Sequence, residues 1–372
     1  MYFKDVIGQE EIKGLLRREV LEKRVPHALL FTGPIGCGKL AMAIAFANYL
    51  LCQHPTIEDS CGICLPCKQI AKFSHPDLHF SFPIIRKSQT TTCKDYLQEW
   101  HSLLKSSLYF DLDDWLEVMG TDNKQAIITE AEGDSIIDQM SVSAYEGGYK
   151  VMIIWLPERM NSSSANNLLK TLEEPTKGTV FILVSNDTST ILSTILSRTQ
   201  NIEFRSLSTN TIADTLVRCN GLEKNLALQT ARISGGSYLR ALRFINVGDN
   251  SDIFFNYFTE LMRSAYARDL SKLKNWSENI ASWGREKQKT FLVYGQNMLR
   301  ENFIYNFRRS ELNFMSDQET RFAVHFSRFI NERNVVGFME EFSHAQRDIE
   351  QNVYSRTVLF DFALKCIILI RR

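Results

Sequence analysis

The feature that most constrains this chain is an apolar run, Ala28–Thr32 (ALLFT), followed at once by GPIGCGK and then LAMAIAFANYL. An apolar run, a glycine-rich turn and an apolar stretch with helical spacing read as strand, loop and helix. Further apolar strands are expected at Lys150–Leu156 (KVMIIWL) and Thr179–Ser185 (TVFILVS). Between them Asn161–Glu174 has helical character and is closed by Pro175. Short apolar strands alternating with helices predict an α/β domain with a parallel sheet covered on both faces. The pattern ends near Arg205.

Beyond that point the periodicity is helical. Phe254, Phe258, Leu261 and Ala265 form one amphipathic stripe, and Leu292, Leu299, Phe303 and Phe307 form another. Breaks are expected at Ser234–Ser237 (SGGS) and at VGDNSD, residues 247–252. A chain of 372 residues is long enough for two or three domains. The expected division is an α/β domain over 1–205, a small helical domain over 206–247 and an all-α domain over 248–372.

Gly33-x-x-x-x-Gly38-Lys39 fits the first seven positions of a phosphate-binding loop. Gly33, Gly36 and Gly38 would let backbone N–H groups turn onto phosphates, and Lys39 would reach the outer ones. Leu40 stands where a Ser or Thr hydroxyl would ligate Mg²⁺. After the second strand, where a magnesium-binding acid and a water-orienting glutamate belong, the chain has Trp155 and Leu156. Glu158 follows Pro157 and reads as a solvated carboxylate at a helix start. With its Mg²⁺ support lost, the loop is expected to hydrolyse ATP weakly or not at all. Two readings stay open: a cradle that still binds ATP, or a loop that only shapes the fold.

Of eight cysteines, Cys37, Cys93, Cys219 and Cys366 are scattered, whereas Cys52, Cys61, Cys64 and Cys67 crowd together. Two overlapping CxxC units and a fourth cysteine, with Gly62 and Pro66 to form tight knuckles, supply the four thiolates of a closed zinc site. A site with four protein ligands is structural. A redox CxxC pair and incidental buried cysteines are the competing readings, and His54 and His75 are read as surface residues.

Charge excludes some functions. Lys+Arg 43 balances Asp+Glu 43, so no global field draws the chain onto nucleic acid or an anionic membrane. Arg17, Arg18, Lys23 and Arg24 are mixed with acids and read as a solvated helix face rather than a DNA footprint. The opening MYFKDVIGQE lacks the apolar run of a signal peptide, and no stretch reaches the ~20 apolar residues of a membrane span. The last candidate, Ala363–Ile370, is short and carries Lys365. A cytoplasmic location with no membrane partner is expected.

DVIGQ at Asp5–Gln9, RVPHALLFTGPIGCGK at Arg24–Lys39, the four-cysteine insert, YKVMIIW at Tyr149–Trp155, ANNLLKTLEEP at Ala165–Pro175 and TILSRT at Thr194–Thr199 occur in this order. The set resembles the bacterial clamp-loader family of DNA polymerase III, and within it the delta-prime type. The resemblance implies an AAA+ module with a zinc insert, a small helical lid domain and a C-terminal helical collar. It also implies a hetero-oligomeric ring with ATPase subunits of the gamma/tau type and a delta-type subunit, acting on a sliding clamp and primed DNA. Ser197-Arg198 matches the family's Ser-Arg-Cys motif, with Thr199 in place of the cysteine, so Arg198 is expected to serve a neighbour's ATP site in trans. Ser185 or Asn186 matches the sensor position. Arg240, in GSYLRAL, lies one residue later than the lid arginine of the ATPase members, and reads as a helix-surface residue.

The expected function is a subunit that does not hydrolyse ATP but completes a neighbour's site. The alternatives are an active gamma/tau-like ATPase with a nonstandard magnesium site built on Glu158 or Glu173, and a nucleotide-free scaffold for another zinc-bearing complex. Phe80–Asn123 fits the resemblance less well. Its Trp100, Tyr109, Phe110 and Trp115 are read mostly as the core of an inserted helical pair.

Overall fold

The computed structural model describes residues 1–372 except 121–124, 146–147, 247–250, 308–314, 316, 352 and 372. The chain divides into two compact units, one of residues 1–221 with 235–240, the other of 222–234 with 241–372.

The first unit runs α1 (Glu10–Leu21), β1 (Ala28–Thr32), α2 (Lys39–Leu51), α3 (Leu65–Ala71), β2 (Leu78–Ser81), α4 (Leu97–Ser106), α5 (Leu112–Val118) and α6 (Glu130–Ser141). It continues with β3 (Lys150–Trp155), α7 (Ser162–Glu173), β4 (Thr179–Val184), α8 (Ser193–Leu196), β5 (Gln200–Glu203) and α9 (Thr209–Asn220). The strands form one sheet in the order β2-β3-β4-β1-β5 with parallel pairing throughout.

Side chains alternate across a strand, and here the alternation splits the core in two. Leu29, Phe31, Val151, Ile153, Trp155, Val180, Ile182 and Val184 face α1, α2 and the helices of the insert. Ala28, Leu30, Met152, Ile154, Phe181 and Leu183 face α6, α7 and α8. Both faces are covered, so every residue of β1, β3 and β4 is buried. This is why those three strands read as continuous apolar runs.

Two strands were not expected. β2 is LHFS and β5 is QNIE, both at the edges of the sheet, and in β5 only Ile202 is buried. Short edge strands with polar residues carry no continuous apolar run. Phe80 therefore belongs to the sheet, and the insertion begins after it.

The insertion packs around its tryptophans. Trp100 is fully buried, stacked on Phe82 at 4.2 Å and in contact with Trp115 at 5.2 Å and Trp155 at 5.3 Å. Trp115 Nε1 donates to the Pro83 carbonyl at 2.7 Å. Residues 121–123, the end of the expected insert, lie outside the described residues.

The second unit is helical: α10 (Lys224–Ile233), most of α11 (Tyr238–Asn246), α12 (Ser251–Ala267), α13 (Leu270–Ala281), α14 (Arg285–Tyr305), α15 (Asp317–Phe326), α16 (Val335–Glu350) and α17 (Ser355–Leu369). Phe254, Phe258, Leu261 and Ala265 are buried, as their spacing predicts, in one core with Trp276, Leu292, Leu299, Phe342 and Phe362. The second stripe fades at its end. Helix α14 stops at Tyr305, so Phe307 lies beyond it, 56% exposed, with its ring against Phe303 at 5.2 Å. The break expected at residues 247–252 falls largely on 247–250, outside the described residues. Ala363, Cys366, Leu369 and Ile370 belong to the core of this unit, and no helix of the described residues is long and apolar enough to cross a membrane.

Trp100→Ala should lower the stability of the first unit by about 3–5 kcal/mol, because it opens a cavity among aromatic rings. The expected result is a fall in the urea midpoint followed by circular dichroism.

Candidate functional site

The glycine loop leaves the C-terminal end of β1 and enters α2 at Lys39, at the end of the strands where open parallel folds hold ligands. Lys39 is only 4% exposed, and its ammonium points back onto its own loop. Nζ donates to the carbonyls of Gly33 and Pro34, both at 2.6 Å. Burial lowers the Lys39 pKa and raises that of the Cys37 thiol beside it. Leu40 is 5% exposed and belongs to the core, so the magnesium-ligand position faces apolar side chains.

The loop is also walled in by side chains of the same unit. Tyr109, from the aromatic insertion, lies over Gly38, where a Cβ would stand 3.1 Å from Tyr109 Oη. That hydroxyl accepts the Ile7 N–H at 3.1 Å, and its ring meets Tyr238 edge-on at 5.0 Å. The Tyr238 N–H donates to the Gly36 carbonyl at 3.0 Å. A Cβ on Gly36 would stand 2.1 Å from Ser237 Oγ. Burial raises both phenols, Tyr238 to about 12. The DVIGQ segment holds the base of the loop: Gln9 Nε2 donates to Arg205 O at 2.7 Å and to Cys37 O at 3.3 Å. Nothing in the spacing of Tyr109 signalled its place over Gly38; it depends on how the insertion folds back.

At the ends of β3 and β4 the expectation for Glu158 is corrected. It is not fully solvated. It is half-buried with its Oε2 shut off from solvent, its Oε1 accepts the Asn186 N–H at 2.9 Å, and desolvation raises its pKa. Its charge is felt by Lys39, although no ion pair within 4.0 Å joins them among the described residues. Ser185 is fully buried, donates its N–H to Phe31 O at 2.9 Å and so fixes the end of β4 to β1. Trp155 is packed into the aromatic core by Trp100 and Phe110, and Leu156 turns in the left-handed region at φ 57°.

The four cysteines converge. Cys52 caps the end of α2, Cys64 precedes α3 and Cys67 lies in its first turn. All four Sγ atoms lie within 4.8 Å of one another, with Cys52 and Cys64 at 4.0 Å. Thiolates ~2.3 Å from a tetrahedral zinc stand about 3.8 Å apart, so this donor set fits the ion. Backbone N–H groups point at two of the sulfurs, Cys61 N to Cys52 Sγ at 3.2 Å and Cys64 N to Cys61 Sγ at 3.5 Å. N–H groups of Cys64 and Ile63 pull the Cys61 thiol down to about 6, whereas burial pushes Cys67 up. His54 is exposed. His75 is not: it is 4% exposed, and its Nδ1 accepts the Asp77 N–H at 3.0 Å.

Arg198 lies between α8 and β5, at the N-terminal end of the strands, opposite to the end that carries the glycine loop. Gln200 pairs with Leu29 near the start of β1, while the loop begins after its last residue, Thr32. The Arg198 guanidinium is 36% exposed, paired with Glu173 Oε1 at 2.7 Å, and donates to Thr194 O at 3.0 Å. Glu173 is thus engaged at that end of the strands, away from the loop. Arg240 is an exposed helix residue.

A family model described as "DNA polymerase III, delta subunit" matches residues 8–208, which include the loop, the cysteines and Arg198. The chain belongs to this family. Relatives include DNA polymerase III subunit tau of Bacillus subtilis, 29% identical over 56% of this chain and 30% of that protein. Subunit delta' of the same organism is 29% identical over 56% of this chain and 51% of its own length. Subunit delta' of Pseudomonas aeruginosa is 32% identical over 46% and 41%. The chain thus spans about half, or less, of the length of the curated relatives it matches. Among solved structures, a gamma subunit-related protein of Thermotoga maritima aligns over 96% of this chain and 99% of its own, at 14% identity and a TM-score of 0.38.

In this family member Gly36→Ala should destabilise the first unit by about 1–3 kcal/mol. The added methyl group meets Ser237 and Leu239 at a backbone φ of 81° that side chains rarely adopt. Thermal unfolding of the purified variant checks this.

Proposed function

We infer that this chain is a delta-prime-like clamp-loader subunit that does not turn over ATP itself and lends Arg198 to the ATP site of a neighbouring subunit. The observation that carries the reading is the state of the glycine loop: Lys39 is spent on the carbonyls of Gly33 and Pro34, and Tyr109 and Ser237 stand against Gly38 and Gly36. A nucleotide needs that lysine and those backbone N–H groups free. Leu40 and Trp155 withhold the magnesium ligands that phosphoryl transfer requires.

Arg198 supports the second half of the reading. Because it sits at the opposite end of the strands from its own loop, this reading has it serve a loop on another chain. Its pair with Glu173 is an exposed ion pair worth ~0–1 kcal/mol, which a phosphate in trans readily replaces. The proposed architecture is an AAA+ module over 1–205 with the cysteine module at 52–67, a lid over 206–247 and a collar over 248–372. The proposed partners are gamma/tau-type ATPase subunits and a delta-type subunit, with sliding clamp and primed DNA met through the assembly.

A structural zinc is proposed for Cys52, Cys61, Cys64 and Cys67. When bound it ties the end of α2 to the start of α3 and neutralises the clustered thiolates. The chain's own residues orient the donors through the N–H···S bonds of Cys61 and Cys64.

One observation favours the second reading, an active gamma/tau-like ATPase: Glu158 is half-buried, close enough for Lys39 to feel its charge, and desolvation raises its pKa, as for a catalytic carboxylate. Steady-state ATP hydrolysis by the isolated chain with Mg²⁺ separates the two. Turnover no higher than in Lys39→Ala is expected, and turnover that Lys39→Ala abolishes would overturn the non-hydrolysing reading. In a reconstituted loader, Arg198→Ala should leave assembly intact and slow hydrolysis at the site it serves by roughly 10³-fold or more. Elemental analysis of the purified protein should find about one zinc per chain, lost with Cys61→Ser/Cys64→Ser together with a lower melting temperature.

A further inference from the structure

The second unit carries a cleft that takes no part in the ATP chemistry proposed for the first. It lies between α12 and α15, with the turn at Ser327–Phe329 that follows α15, and encloses about 420 Å³, the size of a small-ligand site. Its rim is cationic. Arg263 from α12, Arg321 from α15 and Arg328 from the turn are all exposed, and none of them has an acid within ion-pair distance among the described residues. In a chain whose formal charge is zero, three such guanidinium groups around one cleft are a local excess.

The wall of the cleft is aromatic. Phe255, Phe322 and Phe329 are half-buried and line it, and Phe255 meets Phe322 edge-on at 5.6 Å. Arg328 lies over the Phe329 ring at 5.0 Å, so one guanidinium is already stacked on the wall. Thr259 also lines the cleft. It is 8% exposed, and among the described residues its buried hydroxyl has no hydrogen-bond partner.

We propose that this cleft binds single-stranded nucleic acid, with the phosphates on Arg263, Arg321 and Arg328 and a base against Phe322 and Phe329. Guanidinium groups match phosphate in two-pronged geometry, and half-exposed rings offer a flat apolar face that any base can stack on. A peptide of acidic residues alone would satisfy the arginines but has no flat group for the rings. Duplex DNA keeps its bases stacked and offers them nothing either.

The test uses the full chain and a fluorescein-labelled oligothymidine of about 12 nucleotides at about 50 mM salt, read by anisotropy. Binding is expected to weaken with salt. Arg321→Ala/Arg328→Ala should weaken it by about tenfold or more and flatten the slope of log affinity against log salt by about 0.7 for each phosphate no longer held. Phe322→Ala should weaken it about fivefold or more at an unchanged salt slope. Because Phe322 also packs on Phe326, Arg263→Ala, an exposed position, serves as a second variant whose fold is not at stake. Absence of binding by the wild type, equal affinity for duplex and single strand, or unchanged binding by both arginine variants would overturn the assignment. So would polyglutamate occupying the cleft where oligothymidine does not. None of these outcomes bears on ATP turnover or on Arg198.

Discussion

The first unit depends on one constraint: a parallel sheet must be buried on both faces. β1, β3 and β4 have no solvent-facing residue, and their alternating side chains serve two separate cores. Burying the strands this way satisfies their backbone groups within the sheet and leaves only the strand ends free for chemistry. The glycine loop therefore emerges at the C-terminal end of β1 and Arg198 at the N-terminal end of its neighbour β5. In the function proposed for this chain, that separation is what lets Arg198 act on a neighbour rather than on its own loop.

The glycine loop shows where a buried lysine places its charge. The backbone still makes the turn, and Lys39 still begins the helix. Its charge now satisfies two carbonyls of the loop itself at 2.6 Å. A lysine so buried keeps its charge only if donors find acceptors, and here the acceptors are internal. The insertion completes the change, because the same aromatic cluster that fills the space beside Trp155 delivers Tyr109 onto Gly38. Packing in the insertion and closure of the loop are thus one feature rather than two.

The second unit has a different logic. Its helices bury single stripes, and its core is rich in aromatic rings from α12 to α17. Stripes of that kind leave the opposite helix faces to solvent. The cleft between α12 and α15 stands out on that surface, with arginines and rings but, among the described residues, no acids paired to those arginines. It is also a case where composition misleads: balanced totals of Lys+Arg and Asp+Glu say nothing about how charge is distributed over a surface.

By itself the sequence determined the three central strands, the loop between β1 and α2, the grouping of four cysteines and the helical character of the chain past Arg205. Each of these is local: a run, a spacing or a period that reports the immediate environment of its residues. Short edge strands such as β5 escaped because one buried side chain in four leaves no period. The tertiary structure alone decided that the Glu158 carboxylate is partly withdrawn from solvent, that His75 is a core residue, that Tyr109 covers Gly38 and that Glu173 engages Arg198. For the last two the deciding partner is distant in sequence, 25 residues for Glu173 and Arg198 and 71 for Gly38 and Tyr109. Proximity across that range is set by how whole elements pack, which no local pattern encodes.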